Sequence, residues 1–274
     1  MGKIVSISNQ KGGVGKTTTC INLSAFIAAM GKKVLIVDID PQGNTTSSFC
    51  LVKDKNSLNN TIYEVMMGDA TAAEAIQSTS VPNLDIIPST VEFAGADVEL
   101  MGETNREKIL RKALSQVRDK YDFIFIDCPP SLNVFSVNAM TASDSVLIPI
   151  MGDFFSLEGL SQLVNTIKLV RKRLNDNLSI EGIVLTIYDG RSNLTAQVTA
   201  DVEKWFGKSV YKTRIPRNVR LSEAPSHGLP ILQYDPTSKG SVAYMNLALE
   251  FLKRNGFKNA QPLKSLSSYK VKIK

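Results

Sequence analysis

Two short runs of the chain begin with four consecutive apolar residues, and they constrain the fold more than any other feature. VLIVDID (residues 34–40) and FIFIDCPP (residues 123–130) each place four or more apolar residues in succession before an acid. Successive side chains of a strand point to opposite faces of a sheet, so such runs must be covered on both sides. They are typical of central parallel strands with helices packed on both faces.

Further apolar, β-branched runs alternate with longer segments of helical period. The predicted strands are residues 3–8, 33–38, 84–88, 121–127, 145–150, 181–188 and 210–215. The predicted helices include residues 16–30, 105–119, 157–175, 194–206 and 241–254. This alternation predicts a single doubly wound α/β domain over residues 1–254, with a mostly parallel sheet. Residues 255–274 are expected to form a flexible basic tail.

Charge and cysteine content narrow the class of protein. The net charge is +6, but the tail holds five lysines and no acid, so residues 1–254 are almost neutral. A second basic concentration spans residues 204–220, again without an acid, which points to an anionic partner. Three cysteines (Cys20, Cys50 and Cys128) do not form a disulfide scaffold. Without a signal peptide or a membrane-spanning stretch, a cytoplasmic location is expected.

A glycine-rich loop follows the first predicted strand and leads into a helix. In QKGGVGKTT (residues 10–18), glycines allow backbone N–H groups to surround a phosphate, and the helix N-terminus adds positive potential. Lys16 is expected to reach the β- and γ-phosphates, and Thr17 to ligate Mg²⁺. The P-loop pattern fails at its first glycine, where Gln10 stands, and Lys11 is the informative departure.

Three acids stand at the ends of two predicted strands. Asp38 and Asp40 end the second, and Asp127 ends the fourth. Carboxyl ends of parallel strands share one edge of the sheet, where ligands bind. Beside a P-loop, such carboxylates hold Mg²⁺ through water or position an attacking water.

Five motifs together resemble one family, from Met1 to about Arg254, which is over 90% of the chain. KGGVGKTT, VDIDPQGN, FIDCPPS, IPRNVRLSEAPSHGLPI and YDPTSKGSVAY are similar to the ParA/Soj partition ATPases. These belong to the deviant Walker A group, which includes MinD and the nitrogenase iron protein. The resemblance implies a P-loop NTPase fold and slow, partner-stimulated hydrolysis of ATP to ADP and phosphate.

The resemblance also implies roles for individual residues. ATP and Mg²⁺ would be the cofactors of a sandwich homodimer in which Lys11 reaches the partner's phosphates and Lys16 holds those of its own subunit. Asp40 would orient the hydrolytic water, Thr17 would ligate Mg²⁺, and Asp38 and Asp127 would bind it through water. The implied nucleotide-binding residues are Lys11, Gly12, Gly13, Val14, Gly15, Lys16, Thr17, Thr18, Pro216 and Asn218, with Thr18 at the α-phosphate and the last two at the adenine.

The family further implies chromosome or plasmid segregation on the nucleoid, with a ParB/Spo0J-like centromere-binding partner. The ATP-bound dimer is expected to bind double-stranded DNA without sequence specificity. The candidate DNA contacts are Arg191, Arg217, Arg220, Lys204, Lys208 and Lys212. Arg217 and Asn218 can instead serve the nucleotide.

Two other functions of the deviant Walker A group are alternatives to chromosome or plasmid partition. A MinD-like membrane-cycling ATPase needs an amphipathic C-terminal helix, whereas the tail QPLKSLSSYKVKIK is a poor helix former, so membrane contact is not expected. The tail's role stays open between a second DNA contact, an anionic-lipid contact and no function. A nitrogenase-like electron carrier needs two cluster-ligating cysteines per subunit, and no cysteine here lies in such a motif.

The remaining predictions concern the local structure around single residues. His227 is expected to order its loop, and Trp205 and Phe206 to pack against the sheet. In MGDFFSLEG, Asp153 stands where the family commonly has glutamate.

Overall fold

The computed structural model of the protein describes residues 1–49, 58 and 60–271, so Cys50, Lys272 and Lys274 lie outside it. Within this part of the chain, eight strands form one sheet. They are β1 Lys3–Ile7, β2 Val34–Asp38, β3 Gln77–Ser78, β4 Leu84–Ile87, β5 Phe123–Asp127, β6 Ser145–Met151, β7 Ser179–Tyr188 and β8 Val210–Pro216.

The sheet has the strand order β3-β4-β2-β5-β1-β6-β7-β8. Every neighbouring pair is parallel except the short β3–β4 pair at one edge. β1, β2 and β5 therefore end side by side, and Asp38 lies in register with Asp127. The predicted doubly wound, mostly parallel α/β fold is confirmed.

Helices cover both faces of the sheet. Those of the described residues are α1 Lys16–Ala29, α2 Asn44–Ser47, α3 Ile62–Met67, α4 Ala96–Glu99, α5 Ile109–Ser115, α6 Val134–Ala142, α7 Phe155–Arg173, α8 Asn193–Phe206, α9 Val219–Glu223, α10 Ile231–Tyr234 and α11 Lys239–Arg254. α1 and α11 lie on one face, while α5 to α8 lie on the other. None of them is long and apolar enough to cross a membrane within residues 1–49, 58 and 60–271.

β2 shows why its sequence is apolar throughout. Val34 and Ile36 join the core beneath α1 and α11, whereas Leu35 and Val37 join the core beneath α5 and α6. All four side chains are fully buried. Each face of the strand thus has its own hydrophobic core, as the two-sided apolar pattern predicts.

The structure departs from the sequence predictions at several elements. Residues 105–119 are not one helix: a 3-10 turn, the seven-residue α5 and a second 3-10 turn share them. Asn105, with φ +60°, lies before the first turn, and the backbone departs from helical angles at Lys108 (φ −112°, ψ 0°) and Val117 (φ −118°, ψ −10°), where the turns and α5 meet. The two-residue β3 was not anticipated, because so short a run carries no periodic signal. Trp205 does not pack against the sheet, since it is 76% exposed, while Phe206 does pack against the core.

The chain after α11 contacts the core beside α1. Phe257, Ala260, Leu263, Leu266 and Tyr269 are partly buried against it. The ring of Phe257 also lies 5.8 Å from that of Phe123. The division into a domain of residues 1–254 and a flexible tail stays a prediction.

An aromatic cluster where α11 meets the sheet allows a stability test. The ring of Phe251 lies 5.2 Å from Phe123 and 5.4 Å from Phe125, and Phe251 is fully buried. Phe251→Ala should lower the free energy of unfolding by about 3–5 kcal/mol, because it leaves a cavity. Trp205→Ala is the control and should change it by no more than about 0.5 kcal/mol. Urea denaturation followed by circular dichroism measures both, and equal losses would contradict the packing described.

Candidate functional site

The loop between β1 and α1 is fixed by hydrogen bonds of the Asn9 side chain and by the backbone conformation of its glycines. The side-chain amide of Asn9 donates to the Pro149 carbonyl (2.7 Å) and accepts from the Lys11 N–H (3.0 Å). Gly13 and Gly15 have φ values of +73° and +79°, a region that favours glycine. Apart from the two adjacent residues, no heavy atom of the described residues lies within 4 Å of the position that a Cβ would take on Gly13. The loop therefore borders open space at the N-terminus of α1.

Lys16 lies inside this loop. Only 7% of the residue is exposed, and its Nζ donates to the Lys11 carbonyl at 3.1 Å. Burial lowers the pKa of Lys16, against the opposing effect of Asp127, Cys128 and Asp40. A partly desolvated ammonium group held by a neutral carbonyl is well suited to an anion entering the loop.

Lys11 has the opposite placement. Its ammonium group forms an ion pair with Asp153, just before α7, and Lys11 does not line the cavity beside the loop. Asp153 also accepts from the Ser156 hydroxyl at 2.9 Å. Although burial acts to raise it, the pKa of Asp153 is lowered by its hydrogen bonds from Lys11 and Ser156. The two lysines of the loop therefore face different surroundings.

Asp38 and Asp127 form a buried pair at the carboxyl ends of β2 and β5, and both are fully buried. Asp38 Oδ2 accepts from the Thr46 N–H (2.9 Å) and hydroxyl (2.7 Å). Asp127 Oδ2 accepts from the hydroxyls of Thr17 (2.9 Å) and Thr45 (2.7 Å). The pair is thus anchored by threonines from α1 and α2.

Burial raises the pKa of both acids. The pKa of Asp38 rises to about 8, because burial and the charge of Asp127 outweigh the hydrogen bonds from Thr46 and Asp40. Burial raises the pKa of Asp127 to about 6, against the hydrogen bonds from Thr45 and Thr17. The pair is short of positive charge, which a cation would supply.

One atom of this pair lacks a partner. Oδ1 of Asp127 is buried without a hydrogen bond to any of the described residues. The unpaired oxygen, the Thr17 hydroxyl and the two carboxylates provide the hard oxygen ligands that Mg²⁺ prefers. In the described residues no three His, Cys, Asp or Glu side chains group as a metal site. Thr17, Asp38 and Asp127 therefore fit a Mg²⁺ ion most of whose ligands are water and phosphate oxygens.

A cavity of about 730 Å³ adjoins the loop. Asp40 lines it beside Lys16, and one Asp40 carboxylate oxygen accepts from the Gln42 N–H at 3.0 Å. Pro216, Arg217 and Asn218, at the end of β8 and just after it, line its other side. The structure thus brings the loop, Asp40 and these three residues to one cavity, whose size suits a nucleotide.

The candidate DNA-binding residues fall into two groups. Arg191, Arg217 and Arg220 follow the carboxyl ends of the adjacent strands β7 and β8, and Arg217 also borders the cavity. Lys204 and Lys208 precede β8, and Lys212 lies within it. A strand of this length spans about 23 Å, so the six cations do not share one location.

Nearby acids hold two of the three arginines of the first group, Arg191 and Arg220. Arg191 makes two hydrogen bonds to Asp189, at 3.0 and 3.1 Å, and these lower the pKa of Asp189 to about 2. Arg220 lies 2.8 Å from Glu223 and 3.5 Å from Asp235. Any phosphate contact of these arginines must compete with the carboxylates.

Sequence reasoning missed Thr45, Thr46 and the partner of Lys11. The threonines directly follow DPQGN, and hydroxyl residues just after a strand-end acid are the available signal. Thr186 was also missed: its hydroxyl lies 2.7 Å from the Val14 carbonyl and bonds the loop to β7. Such a contact between distant residues has no sequence signal.

Comparisons with known proteins agree with this geometry. A family model described as an AAA domain matches residues 2–180. Cobyrinic acid a,c-diamide synthase from Mycobacterium smegmatis, solved with a bound ATP analog and magnesium, is 31% identical with a TM-score of 0.80. That similarity covers 97% of this chain and 100% of the other. Fold and site together define a P-loop ATPase.

Sequence relatives give the particular family. The sporulation initiation inhibitor protein Soj of Bacillus subtilis is 54% identical over 250 residues, or 91% of this chain and 98% of that protein. The chromosome partitioning protein ParA of Myxococcus xanthus is 48% identical over 255 residues, or 93% and 89%. The chain belongs to the ParA/Soj family of chromosome-partitioning ATPases.

The buried acid pair predicts an unusual pH dependence in the absence of nucleotide and metal. The pKa of Asp38 is about 8 in the folded protein against an ordinary 3.8, so the folded state binds more protons between these values. The free energy of unfolding should fall as pH rises through that window, by up to about 1.4 kcal/mol per pH unit. Asp38→Asn should flatten the slope in urea denaturation with EDTA. An unchanged slope would mean that another group titrates.

Proposed function

We propose that the protein is an ATP-dependent dimerising DNA-binding ATPase that acts in chromosome or plasmid segregation with a ParB-like partner. The observation that carries the proposal is the opposite placement of its two loop lysines. Lys16 lines the cavity of its own subunit, whereas Lys11 is held outside it by Asp153. A cation directed away from its own cavity is available to the phosphates of a second copy.

ATP and Mg²⁺ are the proposed ligands of the cavity. Lys16 and the loop N–H groups would hold the β- and γ-phosphates, Thr18 the α-phosphate, and Pro216 and Asn218 the adenine. Thr17 would ligate Mg²⁺, with Asp38 and Asp127 binding it through water. The ion would neutralise phosphate charge and supply the positive charge that the buried acids lack.

Asp40 is the proposed positioning group for hydrolysis. Its carboxylate lines the cavity, and the Gln42 N–H fixes its orientation. A carboxylate there can accept a proton from a water molecule and align it with the γ-phosphate. Lys16 from the same subunit and Lys11 from the other would stabilise the charge that develops on the phosphoryl oxygens.

Dimerisation requires Lys11 to exchange partners. Lys11 and Asp153 are each about one-third exposed, so their ion pair is of the kind that contributes little to stability. A γ-phosphate carries more negative charge than a carboxylate and competes well for the ammonium group. Loss of that phosphate on hydrolysis would return Lys11 to Asp153 and weaken the dimer.

DNA binding is proposed to follow from dimerisation. Arg191 and Arg220 lie at the same edge of the sheet as the nucleotide cavity, so a dimer would present two copies of each. Doubling the phosphate contacts raises affinity without a large rearrangement. Arg217 borders the cavity, which favours the nucleotide as its partner.

Sedimentation velocity with Mg²⁺, with and without ATP, tests the central proposal. The parent protein should dimerise only with ATP, and Asp40→Ala should form a longer-lived dimer because it binds ATP without hydrolysing it. Lys11→Ala should bind ATP but stay monomeric. Lys16→Ala should bind ATP at least tenfold more weakly, since its direct hydrogen bond to phosphate is removed.

Asp153→Asn is the matched control for Lys11→Ala. Both variants break the Lys11–Asp153 ion pair, but only one removes the cation. If both fail to dimerise, the ion pair supports the loop and Lys11 has no role across the interface. A Lys11→Ala variant that dimerises like the parent would also contradict the proposal.

The DNA proposal is tested by the salt dependence of binding to unrelated duplexes with ATP present. Arg220→Gln and Arg191→Gln should each weaken binding equally for every sequence, and each should reduce the slope of log affinity against log salt by about 0.9 per phosphate that is no longer neutralised. ATP-driven dimerisation should be unchanged. Fluorescence anisotropy measures the affinities.

Arg111→Gln provides the charge control, because Arg111 is exposed on α5, far along the chain from both arginines. It should leave the salt slope unaltered. A slope that falls equally in all three variants would mean that overall charge alone governs binding.

A further inference from the structure

The segment after α11 has a regular pattern with a period of three. Every third residue is apolar and packs, partly buried, against the core: Phe257, Ala260, Leu263, Leu266 and Tyr269. The residues between them are exposed. A period of three is that of a polyproline II or 3-10 segment, and residues 266–269 form a 3-10 turn. We call residues 257–271 the strap.

The strap is attached along its described length. At its start, Phe257 packs near Phe123 and lies under the Lys32 ammonium group, 3.8 Å from the ring centroid. At its end, the Val271 N–H donates to the Gln233 carbonyl at 3.0 Å. The strap thus runs from the amino end of β5, past α1, to α10.

Its lysines all face solvent. Lys258, Lys264 and Lys270 each directly follow one of the packed residues, at a spacing of six, and all three are exposed. No aspartate or glutamate occurs anywhere in the strap. The strap therefore presents a row of positive charge that no acid of its own segment neutralises.

The strap ends beside the residues that bind the Arg220 side chain. Gln233, which Val271 contacts, precedes Tyr234 and Asp235. The Tyr234 hydroxyl donates to Glu223 at 2.9 Å, and both Glu223 and Asp235 form ion pairs with Arg220. The lysine row thus approaches the group of residues that holds Arg220.

We propose that the strap is a polyanion-binding surface, and that its lysines extend the DNA contact of Arg220 along the phosphate backbone. This rests on the proposed DNA-binding function. DNA is favoured over a membrane because the apolar residues of the strap are packed on the protein's own core, so none of the five is free to enter lipid. Fixed lysines also lose less conformational entropy on binding than lysines of a free tail.

The first test neutralises the row. In fluorescence anisotropy with ATP and duplex DNA, the triple variant K258Q/K264Q/K270Q should lower the salt slope by about 0.9 for each phosphate that is no longer neutralised, hence by up to about 3 per strap. The triple variant K112Q/K168Q/K172Q removes the same charge from exposed lysines of α5 and α7, on the other face of the sheet, and should leave the slope unchanged. Equal slopes for the two triple variants would overturn the proposal.

The second test keeps every lysine and removes the anchors. L263S/L266S should detach the strap and weaken DNA binding, although its charge equals that of the parent. Thermal melting and ATP-driven dimerisation report whether the domain stays folded. Unchanged affinity in a folded variant would show that the anchoring is irrelevant, and would overturn the role of a fixed row.

The outcomes separate this inference from the proposed function. If the arginine variants lose DNA binding while the strap variants do not, the strap has no DNA role and the proposed function stands. If the parent binds no DNA, both fail. If the strap lysines are needed for binding to phosphatidylglycerol vesicles but not to DNA, the partner is a membrane and the inference is wrong.

Discussion

The pairing of β2 and β5 beside β1 is the constraint on which the rest of the structure depends. Both strands are apolar on two faces, so each must lie inside the sheet, and polar groups are tolerated only where the strands end. Register then places Asp38 opposite Asp127 at the same edge as the loop after β1. The chemistry of the site is a direct consequence of how the core is buried.

The buried acid pair makes the folded protein depend on positive charge. Thr17, Thr45 and Thr46 supply hydrogen bonds, but these do not offset burial, and the pKa of each acid stays above its ordinary value. A divalent cation would lower the pKa of both acids, because a nearby positive charge favours the ionised form. The proposed binding of metal and nucleotide would in this way be linked to the stability of the central strands.

Local patterns with strong periodicity were sufficient to predict the sheet and the phosphate loop. The apolar runs, the glycine loop and the strand-end acids lie close in sequence to the elements they define, so one sequence reveals them. The Lys11–Asp153 ion pair joins residues 142 positions apart, and no pattern encodes it. Trp205 was misassigned because a large aromatic residue at a helix end favours burial on average, whereas its own helix face points to solvent. The every-third apolar pattern after residue 256 was readable, but it matches neither the helix nor the strand period.

The cations proposed to act on phosphate differ in how they are held. Lys11, Arg191 and Arg220 each have a carboxylate partner within the same chain, so binding an anion exchanges one ion pair for another. Exposed ion pairs contribute little to stability, which makes that exchange easily reversible and sensitive to salt. The strap lysines have no acid within their own segment and give up no such partner there. In the proposed cycle of DNA binding and release this combination would be useful, because the paired arginines would respond to dimerisation while the strap would add a constant attraction.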